Sequence, residues 1–285
     1  MLSFIFCAIF FQGDFMYFKL PSELDTIDIH NHLWGRQDGS FAFDPNEADM
    51  LLQAADRIGV VKIGVSNPDV GKPPVSKSDV EKRNDCIIQA MQYSSRFTGF
   101  VFVEPYMEQA AVDEITRCVV RHGMQGIKLY HQARLTDDCQ NLIMQKAAEL
   151  GVPVLMHAGK CTDALTMARQ PNLSNAGDFR RALQKFPDTI FIQAHIGGGG
   201  DWQWNLRMLE GLETDNYFID IGGTVIDAGI IRATVDAVGA DRVLFATDGV
   251  MDEGVGKLLA ARLSYQEMKK ICSGNWERIA KRRKC

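Results

Sequence analysis

Eight short apolar segments, each rich in β-branched or aromatic residues, recur at nearly even intervals and constrain the fold of this chain more than any other feature. They cover residues 26–30, 60–65, 98–103, 126–130, 152–157, 189–195, 217–221 and 242–247, and their first residues lie 25 to 38 positions apart. One strand, one helix and their connections need about 30 residues, and strands that alternate with helices pair in parallel. Because eight parallel strands can close on themselves, we predict an α/β fold, a (β/α)8 TIM barrel.

The segments between the predicted strands carry the spacing of amphipathic helices. We predict helices over 45–58, 80–94, 109–122 and 137–150, where apolar residues recur at intervals of three and four. Gly123 and Gly151 directly follow the last two segments, and glycine is the commonest residue just after a helix end. The connections therefore fit surface helices that cover a parallel sheet.

An open, doubly wound sheet is the alternative fold, because it also alternates strands and helices. Its dinucleotide-binding members carry a Gly-x-Gly-x-x-Gly turn after the first strand, and that turn is absent from this sequence. No proline-rich or serine-rich linker interrupts the series. We therefore predict one barrel domain over residues 21–285, preceded by an N-terminal extension over residues 1–20.

The ends of the chain give weaker signals. The apolar segment 1–11 is too short to cross a bilayer, which needs about 20 residues. A secretory signal would carry an early basic residue, but none precedes Lys19, and Met16 is an alternative start that would make residues 1–15 an upstream extension. We expect the basic run 281–284 to be a solvated tail after a final helix.

Composition and charge limit the partners. The chain has 46% hydrophobic and 24% charged residues, which is typical of a globular domain, and its net charge of -5 offers no broad basic field for nucleic acid. Its seven cysteines include no Cys-x-x-Cys pair, so a cytoplasmic protein without a disulfide framework is expected. The expected partner is a small molecule, not nucleic acid or a membrane. The sequence does not specify an oligomeric state, for which a homodimer is the commonest outcome.

Histidines gather where a parallel barrel carries its chemistry, at the carboxyl ends of the strands. His30 and His32 are two positions apart on the first predicted strand and therefore point to the same side. His157 and His195 end the fifth and sixth strands, and Asp248 follows the eighth. A single histidine is more often structural, but three imidazoles and a carboxylate, from His30, His32, His157 and Asp248, suit Zn²⁺ with an exchangeable water. Mn²⁺ and Fe²⁺ accept the same ligands.

Short motifs surround these residues. They are Asp28-x-His30-x-His32, Gly126-Ile-Lys128-Leu-Tyr130, His157-Ala-Gly159, His195-Ile-Gly197-Gly198, Ala246-Thr-Asp248 and Ser273-Gly-Asn275-Trp-Glu-Arg. Together they resemble the amidohydrolase superfamily, specifically its amidohydrolase-2 branch, over nearly the whole chain from residue 25. The resemblance implies a distorted (β/α)8 barrel and a metal-dependent hydrolase, with decarboxylases and lactonases among the relatives.

Carried over position by position, the resemblance implies that His30, His32, His157 and Asp248 ligate a divalent metal. It also implies that His195 orients or polarises the attacking water or the substrate. The last strand of many relatives is followed by Ser or Tyr and then Pro, whereas Gly249-Val250-Met251 follows Asp248 here. The local substrate contacts are therefore expected to differ.

Lys128, on the fourth predicted strand, has three interpretations. In the wider superfamily a carboxylated lysine at this strand bridges two metals, whereas a single metal is more usual in the amidohydrolase-2 branch. With one metal, a free Lys128 would anchor a substrate carboxylate or stabilise an oxyanion. The third interpretation is a salt-bridged lysine at the barrel mouth with a structural role.

Three mechanistic hypotheses follow from this set of residues. In the first, metal-activated water attacks a C–N or C–O bond of a small carbonyl substrate, and Asp248 accepts the proton from that water. In the second, the same centre decarboxylates a small aromatic or unsaturated carboxylic acid without oxidation. In the third, the barrel only binds metal, and the coordination sphere is closed to water.

Three loop segments complete the predicted mouth of the barrel. Trp34, Trp202 and Trp204 follow the first and sixth strands and are candidates for the walls of a pocket for a planar substrate. Segment 69–79 is a candidate lid, and the glycine run 197–200 is a candidate flexible loop.

Overall fold

The strands of the computed structural model form an N-terminal hairpin and one parallel sheet of eight strands. The structure describes residues 9–12, 15–71, 75–197, 200–223, 227 and 229–285. The antiparallel hairpin consists of β1 (Ile9–Gln12) and β2 (Phe15–Phe18). The parallel sheet consists of β3 (Thr26–His32), β4 (Val60–Ser66), β5 (Phe97–Phe102), β6 (Gly126–Leu129), β7 (Val154–His157), β8 (Phe191–Ala194), β9 (Tyr217–Asp220) and β10 (Val243–Leu244).

The parallel sheet closes into a barrel. Each strand from β3 to β10 pairs with the next strand along the chain. Two backbone hydrogen bonds then join the two ends of the sheet: Ile29 donates to the carbonyl of Phe245 at 3.1 Å, and Asp248 donates to the carbonyl of His30 at 2.9 Å. These bonds and the interleaved helices confirm the predicted (β/α)8 barrel.

Helices cover the outside of the sheet. They are α1 (Pro45–Ile58), α2 (Lys77–Tyr93), α3 (Gln109–Thr116), α4 (Asn141–Leu150), α5 (Ala164–Arg169), α6 (Ala176–Lys185), α7 (Trp202–Leu209), α8 (Ile230–Val238), α9 (Met251–Ala260), α10 (Tyr265–Lys269) and α11 (Asn275–Ala280). In the described part of the chain, none of them is both long and apolar enough to cross a membrane.

Local sequence explains where the helices begin and end. Helix α1 has the predicted bounds: the Asp44 side chain accepts a hydrogen bond from the Asn46 amide, and Gly59 ends the helix with a φ of 85°. The helix predicted over 109–122 differs, because only α3 is regular and residues 117–121 form a π-helical turn. At the junction the amide of Arg117 donates to the carbonyls of both Asp113 and Glu114, so the regular α-helical pattern ends there.

Apolar side chains fill one end of the barrel. Phe100, Leu155, Phe218 and Leu244 form a buried cluster with Trp276 of α11. Side chains two positions apart on a strand point to the same side. The residues two positions after Leu155 and Phe218 are polar ones, at the carboxyl ends of β7 and β9. The interior therefore changes from an apolar plug to a polar layer along the barrel axis.

The basic C-terminal tail follows the final helix, as expected, and is largely exposed, but hydrogen bonds also attach it to the barrel. Arg283 donates to the carbonyl of Val119 at 2.8 Å, and the amide of Lys284 donates to the carbonyl of Leu150 at 2.9 Å. Arg282 donates to the side chain of Asn216 at 2.6 Å. The acceptors precede strands β6, β7 and β9, and two of them lie at helix ends, where cations are stabilised. The tail therefore crosses the end of the barrel opposite to the polar layer.

Candidate metal centre and active site

The carboxyl ends of β3 and β10 bring three predicted ligands together. The Nε2 atoms of His30 and His32 lie 3.5 Å and 3.2 Å from the carboxylate of Asp248. One donor atom from each of the three residues lies within 4.8 Å of the other two. Asp248 reaches this position because it turns away from the strand direction with a φ of 52°.

The other nitrogen of each imidazole is held from outside the cluster. His30 donates through Nδ1 to the carboxylate of Asp220 at 2.9 Å. His32 lies with Nδ1 3.3 Å from the carbonyl oxygen of Ser66, which can only accept a hydrogen bond. Both rings therefore keep the proton on Nδ1 and present a bare Nε2, which is the arrangement of metal-binding histidines.

Asp220 was missed in the sequence analysis. Besides holding His30, its carboxylate accepts the backbone amides of His195 at 2.9 Å and Gly222 at 3.0 Å. It is completely buried at the end of β9. Its position at a strand end is the criterion that selected the histidines, and that criterion would have found it.

Asp28, the first residue of the Asp28-x-His30-x-His32 motif, connects β3 to the segment after β10 that carries Asp248. It is fully buried, accepts the hydroxyl of Thr247 at 2.6 Å and accepts the backbone amides of Thr247 and His30 at 3.2 Å. Burial raises the pKa of Asp28 to about 6, although these hydrogen bonds oppose the shift. Asp28 therefore supports the site without facing its centre.

His157 and His195 form the second half of the cluster. His157 stacks on Tyr130 with ring centroids 4.1 Å apart, and its Nδ1 lies 3.2 Å from Nε2 of His195. His195 in turn stacks on His30 and has Nε2 3.8 Å from the carboxylate of Asp248. His195 also has a left-handed backbone, with a φ of 74°. His157 thus reaches the cluster through His195.

Lys128 lies inside the cluster. Its side chain is completely buried, and Nζ lies 2.7 Å from Nε2 of His30. Burial lowers the pKa of Lys128 to about 8, and the carboxylates of Asp248 and Asp220 oppose the shift. Lys128 therefore lies buried beside His30 rather than at the outer mouth of the barrel.

The electrostatic environment sets the protonation of the ligands. Burial lowers the pKa of His32 to about 4, and the positive charge of Lys128 lowers it further, although the carboxylate of Asp248 opposes the shift. Burial also holds the pKa of His157 well below its usual value, and the pKa of His195 is lowered for the same reason. At neutral pH these three rings are neutral, as metal coordination requires.

Asp248, in contrast to these histidines, is charged at neutral pH. Burial raises its pKa, but the adjacent imidazoles of His30, His32 and His195 outweigh burial and leave the pKa below the ordinary range. At neutral pH a bare Nε2 of His32 therefore faces a carboxylate oxygen at 3.2 Å, an arrangement of two hydrogen-bond acceptors. Three acceptor atoms that converge in this way fit a divalent cation, and in the metal-free protein the Lys128 ammonium, 2.7 Å from Nε2 of His30, supplies positive charge beside them.

A cavity of about 370 Å³ adjoins the cluster. It is lined by Arg134, Gly159, Lys160, Cys161, Thr166, Met167, Gln170, Pro171, Leu173 and Asn175. Gln170 belongs to both places, because its side-chain oxygen accepts Nε2–H of His157 at 3.1 Å. Gln170 therefore lies between the cavity and the histidines, and nothing in the sequence pattern indicated it.

The predicted aromatic walls are only partly beside the site. Trp34 packs against His32, with ring centroids 5.0 Å apart. Trp202 bonds Asp227, and Trp204 packs against the ammonium of Lys160 at the edge of the cavity. Parts of the candidate lid and of the glycine run, residues 72–74 and 198–199, lie outside the described residues.

Together the fold and the cluster define a barrel with a candidate metal centre at the carboxyl ends of its strands. The amidohydrolase-2 family model, whose description is amidohydrolase, matches residues 27–279, and the chain belongs to this family. The resemblance noted from the motifs is thereby confirmed. No protein among the curated sequences matches this chain.

Solved structures with this fold include enzymes of different reaction types. A 2,6-dihydroxybenzoate decarboxylase from Rhizobium is 18% identical, with a TM-score of 0.69 over 90% of this chain and 98% of that one. A dihydroxybenzoic acid decarboxylase from Polaromonas, with bound manganese and 2-nitroresorcinol, is 17% identical, with a TM-score of 0.69 over 90% and 96%. A 4-oxalomesaconate hydratase from Rhodopseudomonas palustris is 20% identical, with a TM-score of 0.69 over 90% and 96%. These similarities establish the shared fold.

Proposed function

We propose that this protein is a metal-dependent hydrolase that cleaves a C–N or C–O bond of a small carbonyl substrate. The proposal is carried by the convergence of two bare imidazole nitrogens on the carboxylate of Asp248 at the barrel mouth. We assign His30, His32, His157 and Asp248 as the ligands. Zn²⁺ is the expected ion, and the manganese in the Polaromonas structure supports Mn²⁺ as an alternative.

A bound divalent cation would supply Lewis acidity and lower the pKa of a coordinated water to about 7. The chain supplies the groups around it. The Asp248 carboxylate is ionised and one quarter exposed, with a side-chain exposure of 26%, so it can accept a proton and return it to a leaving group. His195 stands beside it as a hydrogen-bond donor to the substrate carbonyl oxygen.

Lys128 completes the proposed mechanism as a fixed electrostatic group. Its Nζ lies 2.7 Å from His30, in the layer where negative charge develops on a reacting oxygen. A buried ammonium at this place stabilises an oxyanion or anchors a substrate carboxylate. Of the interpretations made from the sequence, we propose this one.

Non-oxidative decarboxylation is the second candidate. Two of the structural neighbours described above are decarboxylases of dihydroxybenzoates, and Trp34 offers a planar surface beside His32. In this reaction the bond between the ring carbon and the carboxylate breaks, carbon dioxide leaves, and a proton is added to that carbon. Lys128 would then hold the substrate carboxylate before its departure.

The test begins with metal content and continues with products. Purified protein is expected to hold near-stoichiometric divalent metal, and the His30→Ala, His32→Ala double variant is expected to lose it. A panel of lactones, amides and carboxylated aromatic acids is then incubated in ¹⁸O-labelled water. Label in the product supports hydrolysis, and release of carbon dioxide supports the second candidate. A protein that binds no divalent metal contradicts both.

A further inference from the structure

A line of three side chains connects the cavity wall to the centre of the site. Gln170 contacts Nε2 of His157 at 3.1 Å through its side-chain oxygen, and Nδ1 of His157 contacts Nε2 of His195 at 3.2 Å. The line ends at Nδ1 of His195, which is buried and has no hydrogen-bond partner among the described residues. The space beside that atom is occupied by the backbone of Gly223, where an added Cβ would lie 2.8 Å away.

The contacts along this line determine which nitrogen of each imidazole carries the proton. An amide oxygen only accepts hydrogen bonds, so the contact with Gln170 places the proton of His157 on Nε2. A neutral imidazole carries a single N–H, so Nδ1 of His157 is then a bare acceptor that faces Nε2 of His195 at 3.2 Å. Nε2 of His195 must then carry the proton that joins the two rings. Nδ1 of His195 is left as a bare acceptor, which is less costly to bury without a partner than an N–H group.

The backbone of Gln170 is fixed at both sides. Its amide donates to the carbonyl of Thr166 at 2.8 Å, and its carbonyl accepts the amide of Leu173 at 3.2 Å. Helix α5, which carries Gln170 at its end, is capped by the side chain of Asp163 on the amide of Thr166 at 2.8 Å. The local backbone that carries the Gln170 side chain to His157 is therefore well defined.

We propose that Gln170 is a positioning residue that fixes the tautomers of both His157 and His195. This inference rests on the proposed function for its consequence, because His157 must present a bare Nδ1 to bind a metal. The same tautomers leave an N–H on Nε2 of His195, which donates to Nδ1 of His157 in the metal-free protein. A metal bound at that Nδ1 would free this N–H to donate to the substrate. Gln170 thus sets the tautomer of His157 by direct contact and the tautomer of His195 through His157.

The direct test reads the tautomers by nuclear magnetic resonance. Full-length protein labelled with ¹⁵N on histidine is freed of metal with a chelator, and long-range ¹H–¹⁵N spectra are assigned with His157→Gln and His195→Asn variants. The wild-type protein is expected to show both rings with the proton on Nε2. Gln170→Leu, which has no acceptor, is expected to shift the tautomer ratio of His157 about 3- to 10-fold toward the Nδ1 proton.

Two further variants separate positioning from general structural damage. Gln170→Glu keeps an acceptor at the same place, so it is expected to retain the Nε2 proton on His157. Met167→Gln changes a neighbouring side chain of α5 that lines the same cavity and is expected to leave both tautomers unchanged. An Nδ1 proton on His157 in the wild-type protein, or unchanged spectra in Gln170→Leu, would overturn the inference.

Metal affinity provides the second measurement. Loss of a partner that orients a metal ligand weakens binding about 10- to 100-fold, so Gln170→Leu is expected to bind Zn²⁺ that much more weakly in calorimetric titration. Gln170→Glu and Met167→Gln are expected to stay within about threefold of the wild-type affinity. If the wild-type protein binds no Zn²⁺, the proposed function fails, whereas the tautomer measurement still decides the role of Gln170.

Discussion

Asp248 and His30 touch each other twice. The backbone amide of Asp248 donates to the carbonyl of His30 at 2.9 Å, and the Asp248 carboxylate lies 3.5 Å from Nε2 of the same histidine. The first contact helps to close the barrel between its first and last strands, and the second belongs to the candidate metal centre. The same pair of residues therefore helps to close the sheet and brings two proposed ligands together. A barrel that stayed open between its first and last strands could not assemble the site.

Replacing the carboxylate tests this relationship. Asp248→Asn keeps the backbone contact and the size of the side chain but removes the negative charge and the proton acceptor. We expect native near-ultraviolet circular dichroism, a lower metal affinity and a value of kcat/KM lower by about 100-fold or more. Asp252→Asn, an exposed carboxylate on α9, is the matched control and should behave as wild type. Full activity in Asp248→Asn would be incompatible with the proposed proton transfer.

We expect Asp220 to affect metal affinity and stability, although it contacts His30 on the side away from the proposed metal position. Its carboxylate holds the ring of His30 and the backbone of His195, and Asp220→Asn replaces one of the two accepting oxygens with a donor. We expect metal affinity to fall about 10- to 100-fold and the unfolding free energy of the metal-free protein to fall by about 2 kcal/mol. Calorimetric titration and urea denaturation measure the two effects. Asp215→Asn, exposed at the other end of the barrel, should change neither.

Lys128 gives the protein a specific dependence on pH. Burial lowers its pKa from 10.5 to about 8, so between these values the unfolded chain binds a proton that the folded protein has released. The unfolding free energy therefore rises with pH across this window, and the gain is lost again as the pH falls through about 8.

Lys128→Met removes this contribution. The unfolding free energy of wild type minus that of the variant, measured by urea denaturation of metal-free protein, should increase from pH 8 to pH 10.5. Groups that titrate in both proteins cancel in this difference. A difference that stays constant across the window would show that Lys128 keeps its ordinary pKa in the folded protein.

The C-terminal tail should stabilise the barrel without affecting the site. Arg283 donates to the carbonyls of Val119 at 2.8 Å and Gly123 at 3.3 Å. We expect Arg283→Ala to lower the unfolding free energy by about 1 kcal/mol, which corresponds to a fall of about 2 °C in Tm for a chain of this size. Scanning calorimetry measures this shift, and metal content should be unchanged. Lys281→Ala, a nearby exposed change, should leave Tm at the wild-type value.

The sequence was sufficient to predict the barrel because buried parallel strands form short apolar runs, and each observed strand begins within two residues of its predicted start. The last strand shows the limit of this approach. Residues 242–247 were predicted to form it, but only Val243 and Leu244 pair with β9. Phe245 instead donates its amide to the carbonyl of Ile271 and accepts the amide of Ile29. A pairing partner cannot be read from the apolar pattern of one segment.

The site was predictable where its residues stand at the carboxyl ends of strands, as His30 and His32 do. Asp220 also ends a strand, but its contact with His30 spans 190 positions of the sequence and depends on closure of the barrel. Gln170 lies only 13 positions after His157, at the end of a short helix, where no motif marks it. The groups that orient the ligands were therefore harder to find than the ligands themselves.

The left-handed backbones of His195 and Asp248 have a consequence for the evolution of this protein. Glycine would adopt both conformations at no steric cost, whereas residues with a Cβ are held there at a cost of about 1 kcal/mol or more each. Selection for stability alone would favour glycine at these two positions, so under the proposed function the imidazole and the carboxylate are kept for their chemistry. Natural variants that have lost activity should reveal themselves first by glycine at these two turns.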